Sequence, residues 1–319
     1  MRRHSKRKAL TMSELLAVIA AVTLVVFVLM PGLYRSRQTA IRLLCQTNLE
    51  GIGRVMTTFA NDNAGRYPRA GGEASTWSAT GTIRSWYGGI HGTEDEAFGI
   101  IRDAGGEITT PGEATITSSF YLLVKHNLAT PKQFVCKGDV GAVEWKIHED
   151  RIATLIGLDM SRAFDFGAGG RLGGRTGPLL PYPGEVVSYS YHTPYSMVGS
   201  VETFVITDLS NPASPVCADR NPYLDKKAGI PPTDDDDKRN FNSVSHQGKG
   251  QNVLYKDGHV RFEDRPIIGL GDDNIYTYRI EETDDPTLGT GPFSEGDPMA
   301  YPWDETDALL LGERNGRTR

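Results

Sequence analysis

The stretch LLAVIAAVTLVVFVLM, residues 15–30, decides the architecture of this 319-residue chain. It is apolar except for Thr23, and Leu10 and Met12 extend it towards the ~20 residues with which a helix crosses a bilayer. Basic residues at positions 2, 3, 6, 7 and 8 precede it, with no acidic residue among them. Since such basic flanks stay on the cytoplasmic side, we predict a membrane helix with its N-terminus in the cytoplasm and the bulk of the chain outside.

A single carboxylate, Glu14, stands just before this apolar run. A charge within lipid is costly unless it is paired, which marks Glu14 as a candidate functional residue. A cleaved signal peptide would need small residues after its apolar core, yet this core ends in Leu29-Met30-Pro31 and continues into a helical pattern. An uncleaved anchor explains the hydrophobicity and the basic flank but gives no reason for Glu14.

The segment ALTMSELL, residues 9–16, resembles the prepilin-type processing and methylation signal, whose common form is GFTLIELL. Here alanine replaces glycine, leucine replaces phenylalanine and serine replaces an apolar residue. The resemblance implies that a membrane prepilin peptidase cleaves between Ala9 and Leu10 and methylates the new amino group of Leu10. Glu14 then becomes the fifth residue of the mature chain, and Pro31 the twenty-second, where pilin-like helices usually carry a proline.

Beyond Pro31 an apolar stripe at three- and four-residue steps predicts that the helix continues to about Phe59. Pro31 lacks a backbone donor and is expected to kink or locally melt this helix. Gly51 and Gly53 lack the third glycine of a dinucleotide-binding motif, so we expect them to allow close helix packing. The stripe consists of Ile41, Leu44, Cys45, Asn48, Leu49, Ile52, Val55, Met56 and Phe59.

The rest of the chain alternates short predicted elements with long irregular segments. Asp257-Gly258 between two β-prone runs is a strong signature of a β-hairpin over residues 251–262. We also predict a helix at 118–125, a strand or extended segment at 131–136, strands at 186–191, 204–208 and 216–219, and irregular structure at 69–117.

Several of these segments resemble a pilin-related family abundant in planctomycete-type bacteria. The similar residues are CQTNLEGIG at 45–53, FANDNAGRYP at 59–68, FVC at 134–136, DRNP at 219–222, NSVSH at 242–246 and the hairpin at 251–262. The resemblance implies a pilin-like α+β fold, in which a long N-terminal helix packs on an antiparallel sheet with long irregular loops. The expected divisions are a leader at 1–9, a transmembrane half-helix at 10–31, a soluble half-helix at 32–62, a globular domain at 63–271 and an irregular acidic, proline-rich region at 272–319.

Charge and cysteine content narrow the environment of the chain. The formal net charge of −6 and the pI near 5.7 give no broad basic field, so nucleic acid is not an expected partner. Cys45, Cys136 and Cys217 form no CxxC pair, and outside the cytoplasm any two of them could form a disulfide. Their odd number leaves at least one unpaired or intermolecular.

Two groups of residues are candidate metal ligands, although no cofactor is required by the pattern. Asp219, His246 and Asp257 have side chains suited to metal binding or to acid–base chemistry, while a hairpin turn alone explains Asp257. The carboxylates of an acidic run could bind calcium, as major pseudopilins often do in a loop near their C-terminal strands, while a solvated acidic loop is the favoured interpretation. The run consists of Asp234, Asp235, Asp236 and Asp237.

The sequence contains no GxSxG elbow, no HExxH motif and no Walker loop, so we do not predict an enzyme. The resemblance implies a structural subunit of a type IV pilus-like or type II secretion pseudopilus-like assembly, anchored in the inner membrane with its domain in the periplasm or at the cell surface. Its partners would be a prepilin peptidase, further copies of itself and other pilin-like subunits. The alternatives are a membrane-anchored module that binds a glycan or protein without polymerising, and an anchored hydrolase that uses Asp219, His246 and Asp257.

Overall fold

The structure, a computed structural model, describes residues 11–72, 75–77, 93–149, 154, 157–167, 183–195, 204–292 and 301–313. It has two compact units, Met1–Leu43 and Leu44–Arg319. The first unit contains the beginning of one long helix, and the second contains the end of that helix with all the strands. Within the described residues the chain is a mixed α and β protein, as the sequence predicts at this coarser level.

Helix α1 (Met12–Asp62) is 51 residues long and belongs to both units. Every residue from 11 to 37 is exposed, and the helix contains a run long and apolar enough to cross a membrane. Local melting at Pro31 is not found, because the helix continues unbroken through that residue. A proline removes a single helical hydrogen bond, and apolar spanning helices tolerate that loss.

In the second unit, α1 packs through one face on the main sheet. The predicted stripe is confirmed for most of its members, whereas Leu44 is 56% exposed. Gly53 allows a close approach of the helix to the sheet, since a Cβ there would stand 2.8 Å from Leu254 Cδ1. Burial of each large apolar side chain contributes roughly 1.5–3 kcal/mol, so this face holds the helix in the domain. The buried residues of α1 are Cys45, Leu49, Ile52, Gly53, Met56, Phe59 and Ala60.

Two small sheets precede the main one. They pair β1 (Thr76–Trp77) in parallel with β4 (Glu113–Ala114), and β2 (Ile101–Arg102) antiparallel with β3 (Ile108–Thr110). The predicted irregular segment at 69–117 thus contains these short strands and α2 (Glu94–Phe98).

The main sheet has five strands in the spatial order β8-β7-β6-β5-β9, and all its neighbours are antiparallel. Strands β5 to β8 follow one another along the chain as neighbours, and β9 returns to pair with β5 at the far edge. The predicted hairpin is confirmed, with Gly258 at a φ of +90° in its turn. The strands are β5 (Tyr189–His192), β6 (Pro215–Asp219), β7 (Gln251–Tyr255), β8 (Val260–Glu263) and β9 (Leu310–Leu311).

The remaining described helices are short, and the longest of them, α3, confirms the helix predicted at 118–125. Thr115 begins it with a capping box, in which its side chain and that of Ser118 each accept the other's backbone N–H. The helices are α3 (Ile116–Lys125), α4 (Pro183–Val186) and α5 (Asp235–Arg239), with 3-10 turns at Pro131–Phe134, Pro222–Leu224, Lys226–Ala228 and Val244–His246.

Two predicted strands are wrong in detail. Residues 204–208 form no strand, because Thr207 and Ser210 close a turn in which Ser210 Oγ accepts the Thr207 N–H at 2.9 Å. Residues 131–134 form a 3-10 turn, which Thr130 and Gln133 stabilise as a capping box. Polar residues that satisfy the backbone locally compete with pairing into a sheet.

The C-terminal region is irregular over most of its described length, as predicted, but it is also part of the core. It supplies β9 and the fully buried side chains of Ile275 and Tyr276. One core cluster therefore joins the tail to the central strands: Ala218, Val253, Tyr255, Ile275, Tyr276, Ala308 and Leu310.

Candidate functional site

The beginning of α1 gives Glu14 a local role. Glu14 Oε2 accepts hydrogen bonds from Thr11 N and Thr11 Oγ1, both at 2.8 Å. This is a capping box, in which a glutamate at the third helical position satisfies the backbone of the cap residue. Ala9 and Leu10, the predicted cleavage pair, lie outside the described residues.

The three cysteines are divided into one pair and one single thiol. A disulfide joins Cys45 of α1 to Cys136, which follows the 3-10 turn after α3. Cys217 is unpaired and fully buried in β6, where its Sγ lies 3.9 Å from Met56 Sδ. The disulfide therefore links the buried half of α1 covalently to the rest of its domain.

Two predicted ligands, Asp219 and His246, come together beside this disulfide. Asp219 ends β6 and His246 ends the 3-10 turn at Val244–His246, so separate elements bring them together at the C-terminal end of β6. His246 Nε2 lies 3.2 Å from Asp219 Oδ2, and both side chains are almost completely buried. Asn252 at the start of β7 donates its backbone N–H to the same Asp219 oxygen at 2.6 Å and its side-chain amide at 3.1 Å. The carboxylate therefore accepts from β7 while it faces the imidazole.

The same nitrogen of His246 also faces sulfur. His246 Nε2 lies 3.7 Å from Cys136 Sγ, and one ligand atom each of Cys45, Cys136 and His246 lie within 4.8 Å of one another. Gly138 makes room for the imidazole, because a Cβ at that residue would stand 2.8 Å from His246 Nδ1. We call Cys45, Cys136, His246, Asp219 and Asn252 the cysteine–histidine cluster. Each of its polar side chains keeps one buried atom without a hydrogen-bond partner among the described residues: Asp219 Oδ1, His246 Nδ1 and Asn252 Oδ1.

Asp257, the third predicted ligand, does not join this cluster. It lies in the β7–β8 turn, where its Oδ1 accepts the His259 N–H at 3.1 Å and lies 2.5 Å from His259 Nδ1. The bond from the His259 backbone holds the pKa of Asp257 below its usual value. The prediction that Asp219, His246 and Asp257 converge is thus corrected to Asp219 and His246, because the hairpin itself explains Asp257.

The acidic run forms the first turn of a short helix. Asp234 caps α5 by accepting the backbone N–H groups of Asp236 and Asp237. Asp235 pairs with Lys238 at 3.5 Å, and Asp236 pairs with Arg239 at 3.3 Å. Acidic residues favour helix N-termini because they balance the positive end of the helix dipole. The four carboxylates form no candidate metal group among the described residues, so the calcium prediction gains no support from their arrangement.

A buried ion pair beside the cysteine–histidine cluster was not predicted. Arg220 follows Asp219, and its guanidinium Nη2 donates to Asp139 Oδ2 at 3.0 Å, while Lys227 Nζ donates to Asp139 Oδ1 at 2.6 Å. Arg220 also donates to the backbone oxygens of Val187 and Glu313. Burial raises the pKa of Asp139, but the two cations outweigh it, and the net pKa is lowered. The DRNP segment contained Arg220, but spacing alone did not indicate a partner 81 residues away.

A second unpredicted group lies at the N-terminus of α3, where two buried carboxyl groups meet the first turn. Thr115 Oγ1 donates to Asp165 Oδ2 at 2.5 Å, and the Ile116 N–H donates to Glu313 Oε1 at 2.8 Å. Burial raises the pKa of Asp165 to about 7 and that of Glu313 to about 8. These acids come from segments without any motif, so nothing in the sequence marked them.

The cysteine–histidine cluster does not have the geometry of a catalytic relay, and its two sulfur atoms are joined in a disulfide. In a relay the carboxylate orients one ring nitrogen while the other nitrogen moves the proton, whereas His246 Nε2 faces both Asp219 and Cys136. The hydrolase hypothesis is also weakened, because Asp257, one of its three residues, lies in the β7–β8 turn outside the cluster.

No protein-family model matches this chain, and no curated protein or solved structure matches it. The resemblance of residues 9–16 to the prepilin signal therefore stays a prediction.

Proposed function

We propose that this chain is a pilin-like structural subunit, anchored in the cytoplasmic membrane and assembled with copies of itself or related subunits into a filament. One observation carries the proposal. A single unbroken helix of 51 residues passes from an exposed apolar run into the buried face of an antiparallel sheet. An apolar surface of that length needs lipid or other apolar helices to cover it.

Two further features support the direction of insertion. The basic cluster before the apolar run favours a cytoplasmic N-terminus. The disulfide between Cys45 and Cys136 fits an oxidising compartment outside the cytoplasm. In this arrangement the leader at 1–9 is removed, and Leu10 becomes the methylated first residue of the mature subunit.

Glu14 has two competing roles, and they make different demands on its side chain. As the partner of a neighbouring subunit's methylated amine, it must carry a negative charge, since the pair forms where an unpaired charge is costly. As a capping residue for Thr11, it needs only a hydrogen-bond acceptor, and glutamine serves equally in a capping box. In the filament we assign Glu14 the charge-pairing role. Its capping bond to Thr11 is the contact that it makes within the single chain.

The variant Glu14→Gln separates these roles in cells that make the complete assembly. We expect normal insertion, measured by resistance to alkaline extraction, and at least a ten-fold loss of subunit from the filament fraction pelleted after shearing. Glu50→Gln, which changes an identical charge in the second half of α1, is the matched control and should assemble normally. Normal assembly of Glu14→Gln would contradict the charge-pairing role, and absence of any filament fraction in the parent would contradict the proposal itself.

A non-polymerising binding module is the second candidate, and a cleft in the domain favours it. This cleft has a volume of about 530 Å³, within the range of small-ligand sites. It is lined by His192, Ile206, Thr207, Leu209, Ser210 and Thr306 among others. Burial lowers the pKa of His192 to about 4, so the imidazole is neutral at physiological pH.

Binding of glycans or peptides to the purified chain tests this candidate. Leu209 is 91% exposed at the cleft, and Ile230 is 93% exposed away from the residues that line it. Leu209→Asp should weaken binding by ten-fold or more, whereas Ile230→Asp should leave it unchanged. Equal binding by both variants would remove the cleft from consideration.

A further inference from the structure

We propose that the dithiol form of Cys45 and Cys136, together with His246, is a binding site for a zinc-class cation. The proposal concerns the second half of α1 and the domain around it, not the apolar run, and stands independently of filament assembly. It rests on three buried ligand atoms, one from each residue, that lie within 4.8 Å of one another. Within the described residues they form the one group of histidine, cysteine or acidic side chains with that closeness.

The observed spacing suits a tetrahedral site. Zinc bonds of about 2.3 Å to sulfur and about 2.0–2.1 Å to nitrogen place two such ligand atoms about 3.5 Å apart at a tetrahedral angle. Cys136 Sγ and His246 Nε2 are 3.7 Å apart. His246 Nε2 thus lies at a ligand distance from the Cys136 sulfur, and the amide of Asn252, whose Nδ2 is 3.0 Å from the same nitrogen, has to turn away when an ion binds.

Three separate elements bring these ligands together. Cys45 lies on the buried face of α1, Cys136 follows the 3-10 turn after α3, and His246 ends the 3-10 turn before β7. Gly138 is required at the site, because any Cβ there would stand 2.2 Å from Ser245 O and 2.8 Å from His246 Nδ1. The three elements therefore bring the ligands together through packing as well as through the disulfide.

The surroundings supply a candidate for the fourth ligand position. Asp219 Oδ2 lies 3.2 Å from His246 Nε2, and two ligands at about 2.0–2.2 Å from one ion are about 3.4 Å apart at a tetrahedral angle. Asp219 Oδ1 is buried and has no hydrogen-bond partner among the described residues. Thiolate and imidazole ligands select borderline-soft cations such as Zn²⁺ over calcium or magnesium, so the cluster does not suit the calcium that the acidic run suggested.

The disulfide and the cation compete for the same two sulfur atoms. A dithiol or phosphine reductant delivers two electrons, and with two protons the disulfide becomes two thiols. Binding of the cation then displaces both thiol protons, because thiolates are the metal ligands. Cysteines are reduced when a chain is synthesised, so the dithiol form exists before the disulfide forms. The disulfide and the bound cation would each connect α1 to the rest of its domain through Cys45 and Cys136. The cation would also bind His246.

Cobalt titration of the full-length chain in detergent micelles tests the proposal. The protein is reduced with a phosphine, freed of it without oxygen and titrated with Co²⁺, whose bonds to thiolates give intense charge-transfer absorption. We expect one equivalent to bind, Zn²⁺ to displace it, and the disulfide form to show no such band. His246→Gln should lower the affinity at least ten-fold. Matched controls are His259→Gln, an exposed imidazole, and Cys217→Ser, a thiol outside the cluster, which should both bind normally.

X-ray absorption of the zinc-loaded parent keeps the test independent of whether any variant folds. The expected first coordination shell contains two sulfur atoms and at least one imidazole nitrogen. A shell without sulfur, the absence of charge-transfer absorption in the reduced parent, or unchanged affinity in a folded His246→Gln variant would overturn the proposal.

Discussion

The two halves of α1 carry apolar side chains in different ways. In the first half Leu24 is 67% exposed and its neighbours are exposed all round the helix, whereas in the second half Leu49 is completely buried on one face. A helix that is apolar all round belongs in lipid, and a helix with one apolar stripe belongs against a protein core. The side-chain pattern of one continuous helix thus changes from one that suits lipid to one that suits a protein core.

Leucine-to-alanine substitutions test this contrast with the largest expected effect. Leu49→Ala should lower the free energy of unfolding of the domain by about 2–5 kcal/mol, because it leaves a cavity in a packed core. Leu24→Ala, in the exposed half, should leave it unchanged. Chemical denaturation of the full chain in detergent, followed by the near-ultraviolet signal of the domain, measures both, and equal effects would contradict the division of the helix.

Reduction of the Cys45–Cys136 disulfide is the next largest change. Opening a link between residues 91 apart in sequence should destabilise the domain by about 2–4 kcal/mol. A chelator in the denaturation experiment keeps a metal from replacing the link. The apolar run should remain in the micelle, as protection of residues 11–30 from a protease of broad specificity would show; release of that run together with the domain's unfolding would be the contrary result.

Glycine-to-alanine substitutions compare the two halves of α1 by adding one carbon atom, the Cβ, to each. Gly53→Ala places its Cβ against Leu254 and should cost about 1–3 kcal/mol through overpacking. Gly32 in the first half has nothing within 4 Å of the added carbon, and Gly32→Ala should leave domain stability unchanged while favouring the helix by up to about 1 kcal/mol. Equal stability of the two variants would show that Gly53 does not set the approach of α1 to the sheet.

A change of pH should alter the stability of the domain by less than these substitutions do. Burial raises the pKa of Asp165 to about 7, and those of Glu313 and Asp273 to about 8. The folded domain then holds protons that the unfolded chain has lost, so its stability should fall as pH rises from about 6.5 to about 8 and should level off above that. Since the lowered pKa of His192, about 4, has the opposite sign, the test stays above pH 6.5.

Denaturation midpoints across that pH range measure this dependence. Glu313→Gln should flatten the fall, because its amide does not titrate, whereas the exposed control Glu282→Gln should leave the slope unchanged. A midpoint that rises with pH would show that these carboxyl groups are ionised in the folded domain.

The sequence predicted those parts of the fold in which local pattern and packing agree. The stripe on α1, the helix α3 and the hairpin at Asp257-Gly258 all follow from periodicity or turn chemistry. The strand predicted at 204–208 failed because Thr207 and Ser210 satisfy the backbone within a turn. β9 was missed because two leucines in an irregular tail carry no periodic signal.

The cysteine–histidine cluster was predicted only in part, for a related reason. Asp219, His246 and Asp257 were named together from their chemistry, but the hairpin turn holds Asp257 away from the other two. Cys136 joins His246 across 110 residues, and such contacts depend on how separate elements pack. Spacing along one chain does not contain that information.

The most direct test of the central claim is the N-terminus of the protein isolated from its native membrane. Intact mass and N-terminal peptide analysis should show a chain that begins at N-methyl-Leu10, as prepilin processing requires. A chain that retains residues 1–9 would contradict pilin-like processing and would make the anchored binding module the leading account.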